Sequence, residues 1–127
     1  MHRMPTQPQP LTVAQAVRRA VEVCEIGELD EPLEELEERF EDDDVPIRAV
    51  GESIELRLDE ELGKIDPDWE ESGSLSMARA VVVYLAYRRD EAEADPVELL
   101  RLAARAEFAG DPPAHVERWL HEAGVEL

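Results

Sequence analysis

The sequence predicts a mostly α-helical fold, a small bundle of about five helices around a central buried helix at residues 75–89. Apolar residues recur at spacings of three and four through most of the chain, which is the period of one helix face. Capping residues precede several of these runs, and glycines follow them. The run LSMARAVVVYLAY, residues 75–87, is apolar on almost every face, as expected of a helix that other helices surround.

The chain of 127 residues has the length of one ordinary domain. We expect a disordered tail at residues 1–10, which are rich in proline, and a single mainly helical domain at 11–127. The domain divides by charge into an acidic half, 11–72, and a less acidic helical half, 73–127. Residues 1–72 contain 7 bases and 22 acids, whereas residues 73–127 contain 6 bases and 10 acids.

The net charge is −19, and Lys64 is the single lysine among 13 basic residues. Repulsion among so many carboxylates destabilises a compact state in dilute buffer, and molar salt screens it. Heavy acidity, scarce lysine and a core rich in alanine and valine resemble in style the cytosolic proteins of salt-accumulating halophiles. The resemblance implies a halophilic cytoplasmic protein whose acidity reflects its solvent, and it indicates no family.

Membrane and secretory segments are not predicted. No run approaches the roughly 18 apolar residues of a membrane span, and the segment MHRMPTQPQP lacks the apolar stretch of a signal peptide. Cys24 is the only cysteine, which excludes an internal disulfide and a multi-cysteine zinc site. Its neighbours Val21 and Val23 favour a buried, unreactive thiol. We therefore expect a cytoplasmic protein without a membrane partner.

The first two helices are predicted from caps and apolar stripes. Thr12 and Gln15 have the spacing of a capping box, and Asp30 or Glu31 can cap a second helix with Pro32 in its first turn. The apolar stripe of the first helix consists of Val13, Val17, Ala20 and Cys24, and it ends before Gly27. The stripe of the second helix consists of Leu29, Leu33, Leu36 and Phe40.

Eleven carboxylates lie among the seventeen residues from Glu28 to Asp44, where Arg39 is the only base. They occupy every face of the second helix except its apolar stripe, whereas a binding site needs ligands that converge. We therefore favour a solvated helix face over a cation site or a surface that mimics nucleic acid. The run Asp42–Asp44 also lacks the glycine and the ligand spacing of a calcium loop.

Residues 45–65 fit two structures. Ile54, Leu56 and Leu58 alternate with charged residues, and Gly51 with Glu52 can turn a short β-hairpin at 46–58. The same region also has apolar residues at helical spacing. A hairpin followed by a short helix is the favoured prediction, and a helical structure for the whole region is the alternative. The segment IDPDWEESGS, residues 65–74, is predicted as a loop.

Two helices are predicted at the end of the chain. Asp95, Pro96 and Glu98 form an N-terminal capping pattern for a helix that runs to about Phe108. Gly110 ends it, and the last helix follows the two prolines at 112–113 and ends at Gly124.

No catalytic, cofactor or metal site is predicted. The histidines His2, His115 and His121 do not share a helix face, so they cannot converge on a metal ion. The serines lack a nucleophile-elbow motif, and no glycine-rich phosphate loop occurs. We therefore expect that the protein is not an enzyme and that it holds neither cofactor nor metal.

The stretch LLRLAARAEFAGDPPAHVERWLHEAGV has the layout of a helix-turn-helix and is similar to such units in its second helix. An ordinary helical hairpin is the favoured interpretation. Val116, Leu120 and Ala123 are expected to face the core, with His115 and Arg118 outward. Trp119 is expected to be an anchor in the core or at an interface rather than a stacking platform.

Two functions follow from this helix pair. The favoured one is a non-enzymatic protein-interaction or regulatory module, whose partner is a protein, with a homodimer as one candidate. The alternative is a helix-turn-helix regulator that binds nucleic acid through residues 95–124. The residues predicted to contact the partner are His115, Arg118, Trp119, Arg101 and Arg105.

Overall fold

A computed structural model describes residues 11–25, 30–88 and 91–127. Helices make up 72% of these residues, and no strand occurs among them, so the mostly helical prediction is confirmed. The predicted tail, Leu29 and Gly27 lie outside the described residues. The α-helices are α1 (Val13–Cys24), α2 (Glu31–Phe40), α3 (Ile47–Val50), α4 (Ser53–Ile65), α5 (Gly73–Tyr87), α6 (Pro96–Phe108) and α7 (Ala114–Glu122).

Helix α5 is the centre of the core. It contacts each of the six other α-helices and the single turn of 3-10 helix at Trp69–Glu71. Its apolar side chains are buried on nearly every side, including the β-branched run Val81–Val83. β-Branched residues lower helix propensity only slightly, and the burial of three valines outweighs that cost. The central helix expected at 75–89 is thus found at 73–87.

The caps of α1 and α2 form as the sequence predicts. Gln15 N donates to the Thr12 hydroxyl at 3.1 Å, and Thr12 N donates to the Gln15 side chain at 2.9 Å, which completes the capping box. The Asp30 carboxylate accepts a hydrogen bond from Leu33 N at 3.2 Å. Both helices turn their apolar stripes to the core, where Phe40 is among the largest fully buried side chains.

The hairpin predicted at 46–58 is wrong. The region forms α3 and α4 instead, and Gly51 joins them with a φ of +48°. Ile54 and Leu58 are fully buried, whereas Leu56, which alternation would place on the same face, is 68% exposed. The buried face therefore has the helical period, and packing of α4 against α2 and α5 selects it. This region is why the described part contains seven α-helices rather than about five.

The segment predicted as a loop at 65–74 is also partly helical. It contains the 3-10 turn, and α5 begins at Gly73 after the Ser72 cap, whose hydroxyl accepts from Leu75 N at 3.2 Å. A Cβ atom at position 73 would lie 2.5 Å from Cβ and 2.8 Å from Cγ of Trp119. Glycine therefore lets α7 approach the start of α5, and Trp119 packs on backbone rather than projecting into solvent.

We expect Gly73→Ala to destabilise the protein by about 1–3 kcal/mol, because its new methyl group overpacks the contact with Trp119. Gly63→Ala is the matched control. No atom lies within 4 Å of a Cβ at position 63 in α4, so this change should stabilise by about 0.4–1 kcal/mol. Urea unfolding followed by circular dichroism measures both. Equal stability of the two variants would contradict the close approach of α7.

Candidate functional site

The helix pair at 95–124 carries every residue predicted to contact a partner. Asp95 caps α6 by accepting from Val97 N at 3.1 Å and Glu98 N at 3.4 Å. The chain leaves α6 through Ala109 and Gly110, which have φ angles of 52° and 82°. Each helix packs chiefly against α5, and contact between α6 and α7 is at most slight. The pair is thus held together through the central helix.

The three predicted arginines differ in their surroundings. Arg101 Nε donates to the backbone oxygen of Glu126 at 2.8 Å, and its guanidinium group pairs with Glu98. This residue holds the C-terminal segment against α6. Arg105 and Arg118 are exposed on α6 and α7. The structure therefore leaves Arg105 and Arg118 accessible and uses Arg101 within the fold.

The two histidines of α7 lie in different environments. His121 is exposed, whereas His115, which was expected to face outward, is half-buried. Nε2 of His115 is shielded from solvent and has no hydrogen-bond partner among the described residues. The expectation for His115 is thus corrected. Of the predicted core face, Val116 and Leu120 are fully buried, and Ala123 is partly buried against the core.

A groove of about 630 Å³ lies between the α6–α7 turn, α7 and the C-terminal segment. We call it the C-terminal groove. Leu120 and Val125 are buried beneath it, and Leu127 remains 42% exposed. Its lining is completed by Gly110, Asp111, Pro112, Ala114, Glu117, Arg118, His121 and Glu126. The groove therefore combines an apolar floor with charged side chains of both signs.

The acidic helix α2 has part of its charge paired. Arg39 contacts Glu35 at 2.9 Å and Glu61 of α4 at 3.0 Å, and Lys64 contacts Glu61 at 3.1 Å. Hydrogen bonds from Lys64 and Arg39 hold the pKa of Glu61 below its ordinary value. These pairs tie α2 to α4 at the surface, and they bring bases rather than further carboxylates to Glu61.

Elsewhere on α2 like charges crowd together. Desolvation, followed by repulsion from Glu25, Glu37 and Glu38, raises the pKa of Glu34. Within residues 11–25, 30–88 and 91–127, no group of three or more histidine, cysteine or acidic side chains has an arrangement able to hold a metal ion. The described carboxylates of this helix surround its apolar stripe, which is the arrangement expected of a solvated face.

The potential nucleophiles are engaged in the fold. Cys24 is buried, and burial, then the charges of Asp30 and Glu25, raises the pKa of its thiol. A thiol held in its neutral form is a poor nucleophile. The described serine hydroxyls bond within the fold: Ser53 to Val50 O, Ser72 to Leu75 N, Ser74 to Ser72, and Ser76 to Trp69 O and Glu70 O.

Sequence reasoning missed the role of Arg79, although an arginine inside an otherwise apolar run is a signal. Its side chain is only 14% exposed and contacts three carboxylates on two other helices. It also lies over the Trp69 ring, with 5.9 Å between Cζ and the ring centre. The carboxylate oxygens lie at 2.6 Å (Asp59), 3.0 Å (Glu107) and 3.5 Å (Glu55) from its nitrogens. This cluster links α4, α5, α6 and the 3-10 turn.

The fold and these surfaces define a small all-α protein with an acidic surface and an open groove beside its last helix. None of the described helices has both the length and the apolar character needed to cross a membrane. No protein-family model, curated protein or solved structure matches this chain. Its function is therefore argued from the groove and its surroundings.

Proposed function

We propose that this chain is a non-enzymatic interaction or regulatory module of a salt-adapted cytoplasm, and that it binds a protein partner along the C-terminal groove. The groove itself is the observation that carries the proposal. Leu127, which is 42% exposed, offers apolar surface to bury, and the charged rim offers polar contacts around it. This combination, an apolar centre within a polar rim, is the anatomy of protein interfaces.

The charges of the rim favour a partner segment with an apolar side chain and basic neighbours. Asp111, Glu117 and Glu126 outnumber the one permanent cation, Arg118. A basic segment complements this excess, and an apolar side chain can pack against the exposed part of Leu127. A second copy of the chain is less favoured, because each copy carries a net charge of −19.

The state of the nucleophiles supports a role without catalysis. The thiol of Cys24 is buried and neutral, and the described serine hydroxyls are bonded within the fold. His115 and His121 line different cavities. A catalytic nucleophile needs a base within hydrogen-bond reach, and none of these groups has that arrangement.

Nucleic-acid binding by residues 95–124 is the alternative, and the exposure of Arg105 and Arg118 favours it. Three observations weigh against it. The connecting residues 109–113 exceed the three or four residues of a typical helix-turn-helix turn. Arg101 is bonded to Glu126 and Glu98. The net charge of −19 repels phosphates, and counterion release contributes little at molar salt.

The test places an arginine in the groove. Ala114 is exposed and lines the groove, so Ala114→Arg should fill it and reduce partner recovery about tenfold or more. Ala106→Arg is the matched control, because Ala106 is an exposed helical alanine outside the groove lining and the charge change is the same. Tagged variants are used in nuclease-treated lysate at molar KCl, after circular dichroism has shown equal folding.

The proposal is supported if a protein that the parent chain recovers is lost with Ala114→Arg and retained with Ala106→Arg. Equal recovery by both variants would count against the groove. If untreated lysate yields nucleic acid that Arg118→Ala no longer captures, the alternative function replaces the proposed one. Light scattering on the purified chain tests the homodimer. A homodimer through the groove requires twice the monomer mass for the parent chain and the monomer mass for Ala114→Arg.

A further inference from the structure

Residues 125–127 form one wall of the C-terminal groove. We call this segment the C-terminal wall. Val125 is buried at its start, whereas Glu126 is exposed and Leu127 is 42% exposed. Glu126 is one of the three acidic residues that line the groove, and Leu127 is its exposed large apolar side chain. The wall therefore supplies both kinds of contact that a basic segment with an apolar side chain requires.

The start of the C-terminal wall is fixed by the end of α7. Gly124 has a φ of +79° and turns the chain away from the helix. Its N–H donates to His121 O at 3.0 Å, and Val125 N donates to Leu120 O at 2.9 Å. This pair of bonds is the Schellman motif, which closes the C-terminus of a helix. The motif ends at Val125, so it does not hold the backbone of the two residues that follow.

Arg101 of α6 holds the next residue of the wall. Its Nε donates to the backbone oxygen of Glu126 at 2.8 Å, and a terminal nitrogen pairs with Glu98, three residues earlier on the same helix. The Glu98 carboxylate thereby keeps the guanidinium group directed at the wall. The Arg101 side chain is only 26% exposed, and charged donors form stronger hydrogen bonds than neutral donors. The bond therefore anchors the wall to α6.

The anchor engages the backbone of the wall rather than its side chains. Because Arg101 uses the carbonyl oxygen of Glu126, the carboxylate of Glu126 and the side chain of Leu127 are left for an occupant of the groove. Arg101 itself is not a lining residue. A wall that is ordered before binding increases affinity, because the conformational entropy of ordering it is then not lost on binding.

We propose that Arg101 is a positioning residue of the C-terminal groove, which orders Glu126 and Leu127 for the partner without lining the groove itself. The proposal rests on the proposed function, because a positioning role requires an occupant of the groove. It replaces the direct partner contact that the sequence predicted for Arg101 with support of the wall.

The order of the wall is measured first, in the free full chain at molar KCl. The steady-state ¹H–¹⁵N nuclear Overhauser effect of the Glu126 and Leu127 amides reports their motion. Arg101→Met keeps a long side chain without its donors, so we expect the effect to fall strongly at both amides. Arg105→Met removes the same charge from an exposed position on α6 and should leave both amides as in the parent. Unchanged values in Arg101→Met would overturn the proposal.

The conservative variant Arg101→Lys separates the hydrogen bond from other effects of the substitution. It keeps a charged donor on a long side chain, so it should keep the wall ordered. Circular dichroism and melting temperatures are compared for all variants, because a general loss of stability would change amides throughout the chain rather than at residues 126–127. The same local loss of order with Arg101→Lys would contradict the role of the donor.

Partner recovery is measured next, in nuclease-treated lysate at molar KCl. The probe is the protein that the parent chain recovers and that Ala114→Arg loses. Its recovery should fall about tenfold with Arg101→Met and should stay at the parent's level with Arg105→Met and Arg101→Lys. An equal loss with Arg105→Met would assign the effect to charge and overturn the positioning role.

The two measurements separate failure of this proposal from failure of the proposed function. Loss of order at residues 126–127 with unchanged partner recovery would overturn the positioning role of Arg101 and leave the groove as the binding site. If the parent recovers no protein that Ala114→Arg loses, the proposed function fails, and the positioning role fails with it.

Discussion

Val82→Asp should prevent folding. Val82 lies fully buried in the middle of α5, the helix that contacts every other helix of the described structure. Arg79, three residues before it on α5, is already paired with the carboxylates of α4 and α6. Burying a further carboxylate without a base of its own is among the few changes that cost more than about 4–5 kcal/mol. That cost approaches the whole stability of an ordinary domain, about 5–15 kcal/mol. Circular dichroism and gel filtration at molar KCl measure the outcome.

Leu56→Asp is the matched control, because it also replaces an aliphatic helical residue by aspartate. Leu56 is 68% exposed on α4, so its replacement should cost about 1 kcal/mol or less. A folded Val82→Asp variant with the stability of Leu56→Asp would mean that α5 is not the centre of the core.

Molar salt should raise the melting temperature strongly. The chain carries a net charge of −19, and on α2 the pKa of Glu34 is raised by desolvation and by neighbouring carboxylates. A Debye length near 3 Å at about 1 M salt removes most of this repulsion. Relief of about 2–3 kcal/mol corresponds to a rise of roughly 10 °C for a domain of this size. Scanning calorimetry in KCl and in NaCl should give similar increases.

The salt effect separates a solvated face from a cation site. Millimolar Mg²⁺ or Ca²⁺ at constant ionic strength should add little to the melting temperature. Glu34→Gln should reduce the dependence on KCl, because it removes one of the crowded charges. A saturable increase at micromolar Ca²⁺ would show a specific site and overturn the solvated face.

The helix caps and apolar stripes that the sequence predicted correctly have their partners nearby in the chain. The bonds between Thr12 and Gln15, and between Asp30 and Leu33, span three residues each. The apolar stripes of α1, α2 and α7 repeat within one or two turns. Local spacing and local hydrogen bonds determine such features before any other element is present.

The secondary structure of residues 46–58 depends on packing against other helices. Its residues satisfy the period of a strand and of a helix, so the choice depends on which face is buried. Leu56 shows that choice, because it is exposed while Ile54 and Leu58 are buried. Contact of α4 with α2 and α5 decides which face is buried, and both of these helices lie outside residues 46–58.

By itself, then, the sequence determined the helical class, the central position of α5, the main caps and the burial of Cys24. Only the tertiary structure decided that Trp119 packs on Gly73, that Arg79 gathers carboxylates from α4 and α6, and that His115 turns inward. The contacts of Trp119 and of Arg79 join residues 20 or more positions apart. A contact of this kind depends on how whole helices pack together, and the periodicity of one helix does not contain that information.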